Sequence, residues 1–76
     1  MGLFRVSGWF VNHEYKYTGL AELVVERDVA PSEAEAEPLL WPLADAQLER
    51  VYPDAKGDSL LRNEFTSVTV RPPAVP

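Results

Sequence analysis

PSEAEAEPLLWPLADAQLERVY, residues 31–52, decides the fold, because the alternating pattern of the preceding chain gives way here to helical spacing. Ser32 and Glu35 stand at the spacing of a capping box, which predicts a helix that begins after Ser32. Pro38 lacks an amide hydrogen and disfavours helical geometry in the residue before it. We therefore expect a short extra helical turn that stops or kinks at Pro38.

The main helix is predicted to begin at Pro42, since proline suits the first position of a helix. Apolar residues recur at three- and four-residue spacings through this region, while charged residues occupy the other faces. Pro53 is expected to follow the end of the helix. The apolar series consists of Leu40, Ala44, Leu48 and Val51 or Tyr52.

Alternating residues predict strands on both sides of the helix. Residues 3–11, LFRVSGWFV, form the first strand, and residues 15–26 continue the alternation after a polar turn, which indicates a hairpin. Residues 64–71 are rich in β-branched side chains and predict a third strand. Gly19, inside the second strand, indicates either a bulge or a close backbone approach.

The order strand, strand, helix, strand predicts an α+β fold, with a small three-stranded antiparallel sheet packed on one main helix. A right-handed crossover places the third strand beside the first, which gives the order 2-1-3. Residues 1–71 are expected to form a single domain, and residues 72–76 a Pro-rich extended tail. The first strand is apolar on both sides, so its pattern leaves open which face meets the helix. One face carries Phe4, Val6 and Phe10, and the other carries Leu3, Trp9 and Val11.

The chain is acidic, with 12 Asp and Glu against 7 Lys and Arg and a net charge of −5. The charge is uneven, because residues 26–49 hold seven acidic residues and Arg27 as the sole cation. Nucleic-acid affinity usually comes from positive charge, so we do not expect direct binding to DNA or RNA. A protein with a basic surface is the expected partner.

The sequence contains no constellation typical of an enzyme. It has no cysteine and one histidine, which argues against disulfides and a zinc site. The pair His13 and Glu14 is interpreted as a polar turn, since acid–base catalysis requires hydrogen-bond geometry between the groups. No phosphate-binding loop, nucleophile elbow or metal-binding helix motif is present. We therefore predict a non-enzymatic protein without a metal or cofactor.

The candidate partner-binding surface is the acidic and apolar stretch around Trp41. Its glutamates are interpreted as a solvated face, as a docking patch for a basic partner, or as ligands of a hard cation. Trp41 is the strongest candidate, because tryptophan contributes disproportionately to binding energy, although core packing is the alternative for every aromatic residue. The predicted partner-binding residues are Glu33, Glu35, Glu37, Leu40, Trp41 and Asp45, with Trp9, Tyr15 and Tyr17 as secondary interface candidates.

We expect a small acidic interaction module, an inhibitor or regulator of the type found in phages and mobile elements. Its expected target is the basic surface of a nucleic-acid-handling machine. A domain this small has a thin core and exposed strand edges, which favours a homodimer. The sequence has no apolar run of the length of a signal peptide or membrane span, so we expect a cytoplasmic protein.

FRVSGWF at residues 4–10 and ERVY at residues 49–52, followed by a Val-Thr-Val strand, resemble the family of ribosomal protein LX of the archaeal large subunit. The family's RNA contact depends on a basic run after the helix. The resemblance implies a shared small topology and an alternative function, a structural RNA-associated subunit of ribosomal type. Of the basic run this chain keeps Lys56, Gly57, Ser59 and Arg62, interrupted by Asp58.

Overall fold

A computed structural model describes residues 2–55 and 63–73 of the chain. The elements in chain order are β1 (Gly2–Asn12), β2 (Tyr17–Arg27), α1 (Glu33–Val51), a 3-10 turn (Pro53–Ala55) and β3 (Asn63–Arg71). Strand β1 is central and pairs antiparallel with both neighbours, in the order β2-β1-β3. The predicted α+β fold and its strand order are confirmed. The residues that resemble the basic run of the LX family, and residues 74–76 of the predicted tail, lie outside the described residues.

The helix is continuous across both prolines, so the prediction that it stops at Pro38 is wrong. Helix α1 runs from Glu33 to Val51 with Pro38 and Pro42 inside it, and the short extra turn lies after α1 instead. The two prolines lie four residues apart on the exposed side of α1. The carbonyl groups that lose their amide partners therefore face water, which can hydrogen-bond to them. Burial of the opposite side stabilises the helix through this region.

One narrow stripe of α1 packs on the sheet. Its members follow at four-residue intervals, and each is at most 1% exposed. The first three members pack with Val6 and Phe10 on the face of β1 that also carries Phe4, so the face with Leu3, Trp9 and Val11 is the open one. The alternation of alanine with leucine allows the helix to approach the sheet closely. The buried stripe consists of Ala36, Leu40, Ala44 and Leu48.

Two glycines make room for this packing. A Cβ atom at Gly8 would lie 2.9 Å from Cδ2 of Phe65, and one at Gly19 would lie 2.9 Å from Cζ of Phe10. Both distances are too short for a side chain to fit without movement of its neighbours. Of the two predicted alternatives for Gly19, the close approach is confirmed, since the β1–β2 register is regular there. The irregularity in the sheet lies between Trp9 and Phe10, where β1 pairs with β3.

A buried asparagine links three elements at the hairpin end of the sheet. Asn12 is fully buried, and its Oδ1 accepts a hydrogen bond of 2.9 Å from the backbone amide of Tyr15. Its Nδ2 donates to Oδ1 of Asn63 at 3.0 Å. Nδ2 of Asn63 in turn donates to Oδ1 of Asp45 at 2.7 Å. This polar chain joins the β1–β2 turn, the start of β3 and the helix.

We predict that Asn12→Ala lowers the free energy of unfolding by about 2 kcal/mol, because it removes a fully buried side chain that hydrogen-bonds to two partly buried groups, the Tyr15 amide and Oδ1 of Asn63. Urea denaturation followed by circular dichroism measures the change. The matched control is His13→Ala in the adjacent exposed turn, which should change stability by no more than about 0.5 kcal/mol. Equal effects of the two substitutions would contradict the structural role of Asn12.

We also predict that Pro38→Ala and Pro42→Ala each raise the free energy of unfolding by about 1–2 kcal/mol. The restored amide can donate within α1, and this gain exceeds the smaller entropic advantage that proline gives by restricting the unfolded chain. Pro31→Ala, outside the helix, is the control and should not stabilise the protein. Destabilisation by both helix substitutions would argue for a helix that ends at Pro38.

Candidate protein-docking surface

The helix begins with the predicted capping box. The Ser32 hydroxyl accepts from the Glu35 amide at 3.1 Å, and the Ser32 amide donates to Oε1 of Glu35 at 3.0 Å. The backbone hydrogen bond from Ser32, reinforced by its side chain, holds the pKa of Glu35 below its ordinary value of 4.5. Glu35 also lines a shallow depression with Arg27 and Leu39, on the β2 side of the helix. Its carboxylate therefore stabilises the helix start and lies apart from the other predicted docking residues.

Four of the predicted partner-binding residues share one side of α1. We name this set the acidic helix stripe: Glu33, Glu37, Trp41 and Asp45, which follow at four-residue intervals. Residues at this spacing lie above one another on a helix. The stripe faces β3, since Glu33 and Glu37 line a groove with that strand and Asp45 hydrogen-bonds to Asn63. Leu40, also predicted to bind the partner, is fully buried and belongs to the core.

The groove beside the acidic helix stripe has a mostly polar lining with two apolar residues in its floor, which the sequence pattern did not reveal. Glu33, Ala34 and Glu37 form its helical wall, and residues 65–68 of β3 form the other side. Phe65 and Val68 pack partly into the core from this strand. Among the described strands, β3 has a neighbour on one side only, so its outer edge borders the groove. Only the tertiary packing of helix on strand brings these residues together.

The secondary interface candidates lie in two different places. Tyr15 and Tyr17 form an aromatic cluster with Tyr52, with ring centroids 4.9 Å and 6.1 Å from that of Tyr52. Tyr17 also contacts the ring of Phe10, so this cluster closes the end of the core. Trp9 lies on the open face of the sheet and is 50% exposed. None of the three borders the groove beside the acidic helix stripe.

The described residues provide few groups for catalysis or metal binding. Nε2 of His13 contacts Oε2 of Glu64 at 3.2 Å, and both side chains are largely exposed. Such a pair is surrounded by water and contributes little to stability. Within residues 2–55 and 63–73, no three His, Cys, Asp or Glu side chains are grouped to hold a metal ion. No helix in the described part of the chain is long and apolar enough to cross a membrane.

Comparison of the chain with protein-family models, curated proteins and solved structures gave no match.

The capping box generates a prediction about pH. Folding lowers the pKa of Glu35. The carboxylate therefore stabilises the fold at any pH above its ordinary pKa, and this contribution is lost as the pH falls through the lowered pKa. Glu35→Ala should therefore reduce the free energy of unfolding at neutral pH, and the difference from the wild type should shrink below about pH 4. Urea denaturation of both proteins, from neutral pH to below about pH 4, measures this difference in the free energy of unfolding.

The matched control is Glu33→Ala, which removes a carboxylate from the same helical turn without breaking the reciprocal hydrogen bonds. Its effect at neutral pH should be smaller than that of Glu35→Ala. A difference between wild type and Glu35→Ala that grows on acidification would contradict the assigned role of Glu35.

Proposed function

We propose that this protein is a small acidic, non-enzymatic interaction module that docks on a basic protein surface. In this proposal it acts as an inhibitor or regulator of a nucleic-acid-handling machine, in the manner of small phage and mobile-element proteins. The observation that carries the proposal is the acidic helix stripe, in which the half-buried Glu37 and the exposed Asp45 flank an exposed tryptophan, beside an open groove.

The electrostatic support comes from the carboxylates of this surface. In the described part of the chain the single ion pair joins His13 and Glu64, so Glu33 and Glu37 have no described cationic side chain at ion-pair distance. Their charge is available to an external partner. A basic surface is attracted to such a patch before contact, which raises the association rate and makes it dependent on salt.

The apolar support comes from Trp41 and the groove floor. Trp41 is 52% exposed and lies between Glu37 and Asp45 in the acidic helix stripe. A large aromatic side chain with a polar rim is typical of the residues that dominate binding energy. Phe65 and Val68 offer apolar contact to the aliphatic stems of lysine and arginine, whose charged ends can then reach Glu33 and Glu37. The groove thus suits basic side chains better than acidic or purely apolar ones.

The test begins with a partner recovered from the native host by affinity capture and identified by mass spectrometry. The combined variant Glu33→Gln, Glu37→Gln should associate more slowly with this partner, and the rate should depend less on salt. Trp41→Ala should accelerate dissociation and weaken binding by about 2 kcal/mol, which corresponds to about 30-fold. Surface plasmon resonance at several salt concentrations measures both effects.

Two matched controls lie on the sheet. The combined variant Glu22→Gln, Glu26→Gln removes the same charge from β2, and Trp9→Ala removes an equally exposed tryptophan from β1. Neither control should change association or dissociation as strongly as its counterpart on α1. Unchanged binding in both α1 variants would contradict the proposed surface. Recovery of RNA that remains bound at low salt would instead favour the structural RNA-associated subunit.

A further inference from the structure

The open face of the sheet is a second exposed apolar surface, separate from the acidic helix stripe. Leu3 and Trp9 project from the central strand β1, and Leu20 and Val24 from β2, on the side that α1 does not cover. These four side chains are 53%, 50%, 38% and 51% exposed, respectively. The strand register places Trp9 beside Leu20. A patch of this kind on a small domain is typical of an interface.

The charged residues of this face are arranged from one edge to the other. Glu22 and Glu26 lie on β2, Arg5 lies on the central strand, and Arg71 lies on β3 opposite Arg5. Within this central region the two positive and two negative charges balance. This central region is therefore close to neutral, although the chain carries a net charge of −5 and Glu64 of β3, opposite Val11, adds a negative charge to the face near the hairpin end. Away from that end, the acidic β2 edge and Arg71 on β3 make the face complementary to a rotated copy of itself.

We infer that this open face binds a second copy of the chain, with the two sheets stacked about a two-fold axis parallel to β1. This axis places β2 of each copy over β3 of the other, since β1 is central and the outer strands exchange sides. Along the direction of the strands, Arg71 of one copy then lies between Glu22 and Glu26 of the other copy. Aligned sheets pack about 10 Å apart, a distance that long charged side chains can span from both sides.

Charge also argues against the other simple two-fold arrangement. An axis across the strands would stack β2 on β2, which brings the glutamates of both copies together. With the axis along β1, the like charges that approach are the two Arg5 side chains. Each Arg5 is a diagonal neighbour of Glu22 and Glu26 in its own sheet, which offsets this repulsion.

A second copy suits this face better than it suits the helix side. Stacking through the sheets places the two acidic helices on opposite outer surfaces, where their mutual repulsion is smallest. Stacking through the helices would bring both acidic helix stripes together. A three-stranded face of about nine residues per strand covers roughly 400 Å² on each copy, or about 800 Å² in total, which is below the range of stable specific interfaces and fits a transient one. The dimer should accordingly be weak, with a dissociation constant in the micromolar range.

Sedimentation equilibrium of the full chain, at concentrations from about 1 to 500 micromolar, tests the inference over the expected range. The wild type should pass from monomer to dimer mass. Trp9→Ala should weaken the dimer by at least about 10-fold, because Trp9 lies at the centre of the face. The matched control is Trp41→Ala, an equally exposed tryptophan on α1, which should leave the dimer unchanged. Circular dichroism confirms that both variants fold.

A charge exchange tests the direction of the axis. Arg71→Glu and Glu22→Arg should each weaken the dimer, and the two together in one chain should restore it, because each new charge meets its opposite in the second copy. Within one sheet these residues lie on opposite edges, so rescue has to act between copies. A monomer at every concentration, a dimer insensitive to Trp9→Ala, or a charge exchange without rescue would overturn the inference. This outcome is independent of partner binding through the acidic helix stripe.

Discussion

Leu40 of α1 lies directly against Gly8 of the central strand, and this contact sets the distance between helix and sheet. A Cβ atom at Gly8 would come within 3.0 Å of Cδ1 of Leu40 and 2.9 Å of the Ser67 carbonyl oxygen. Ala36 and Ala44, one turn on either side of Leu40, add little bulk. The buried stripe therefore packs on the sheet at Ala36, Leu40 and Ala44, and this burial stabilises the helix on both sides of its two prolines.

Alternation and spacing identified the three strands and the capping box, because these features depend on local patterns, and the right-handed crossover rule then predicted the order of the sheet. The path of the helix across Pro38 could not be predicted in the same way. The rule that proline interrupts a helix considers only the lost backbone hydrogen bond. The compensating burial of Ala36 and Leu40 comes from tertiary packing, which the local sequence does not show. The same error concealed the acidic helix stripe. Glu33 and Trp41 belong to one helical side only if the helix passes unbroken between them.

The candidate site was predicted in composition but not in geometry. The three glutamates and Trp41 stood out because of charge and aromatic content, yet the pattern did not separate Glu35, which caps the helix, from Glu33 and Glu37, which line the groove. Leu40 was predicted both in the apolar series of the main helix and at the partner-binding surface, and its burial in the core supports only the first. Phe65 and Val68 were missed because their position beside α1 depends on the crossover and on the sheet irregularity near Trp9.

Asp45 connects the acidic helix stripe to the polar chain that begins at Asn12. Its short hydrogen bond to Asn63 is charge-assisted, and Asn63 in turn accepts from Asn12. A cation from a partner would have to compete with this hydrogen bond. If the cation displaced it, the Asn63 amide would lose its acceptor. Asp45 is therefore better suited to hold β3 against the helix than to bind a partner. Under the proposed docking function, recognition depends on Glu33, Glu37 and Trp41, whose side chains make no comparable hydrogen bond to β3 among the described residues.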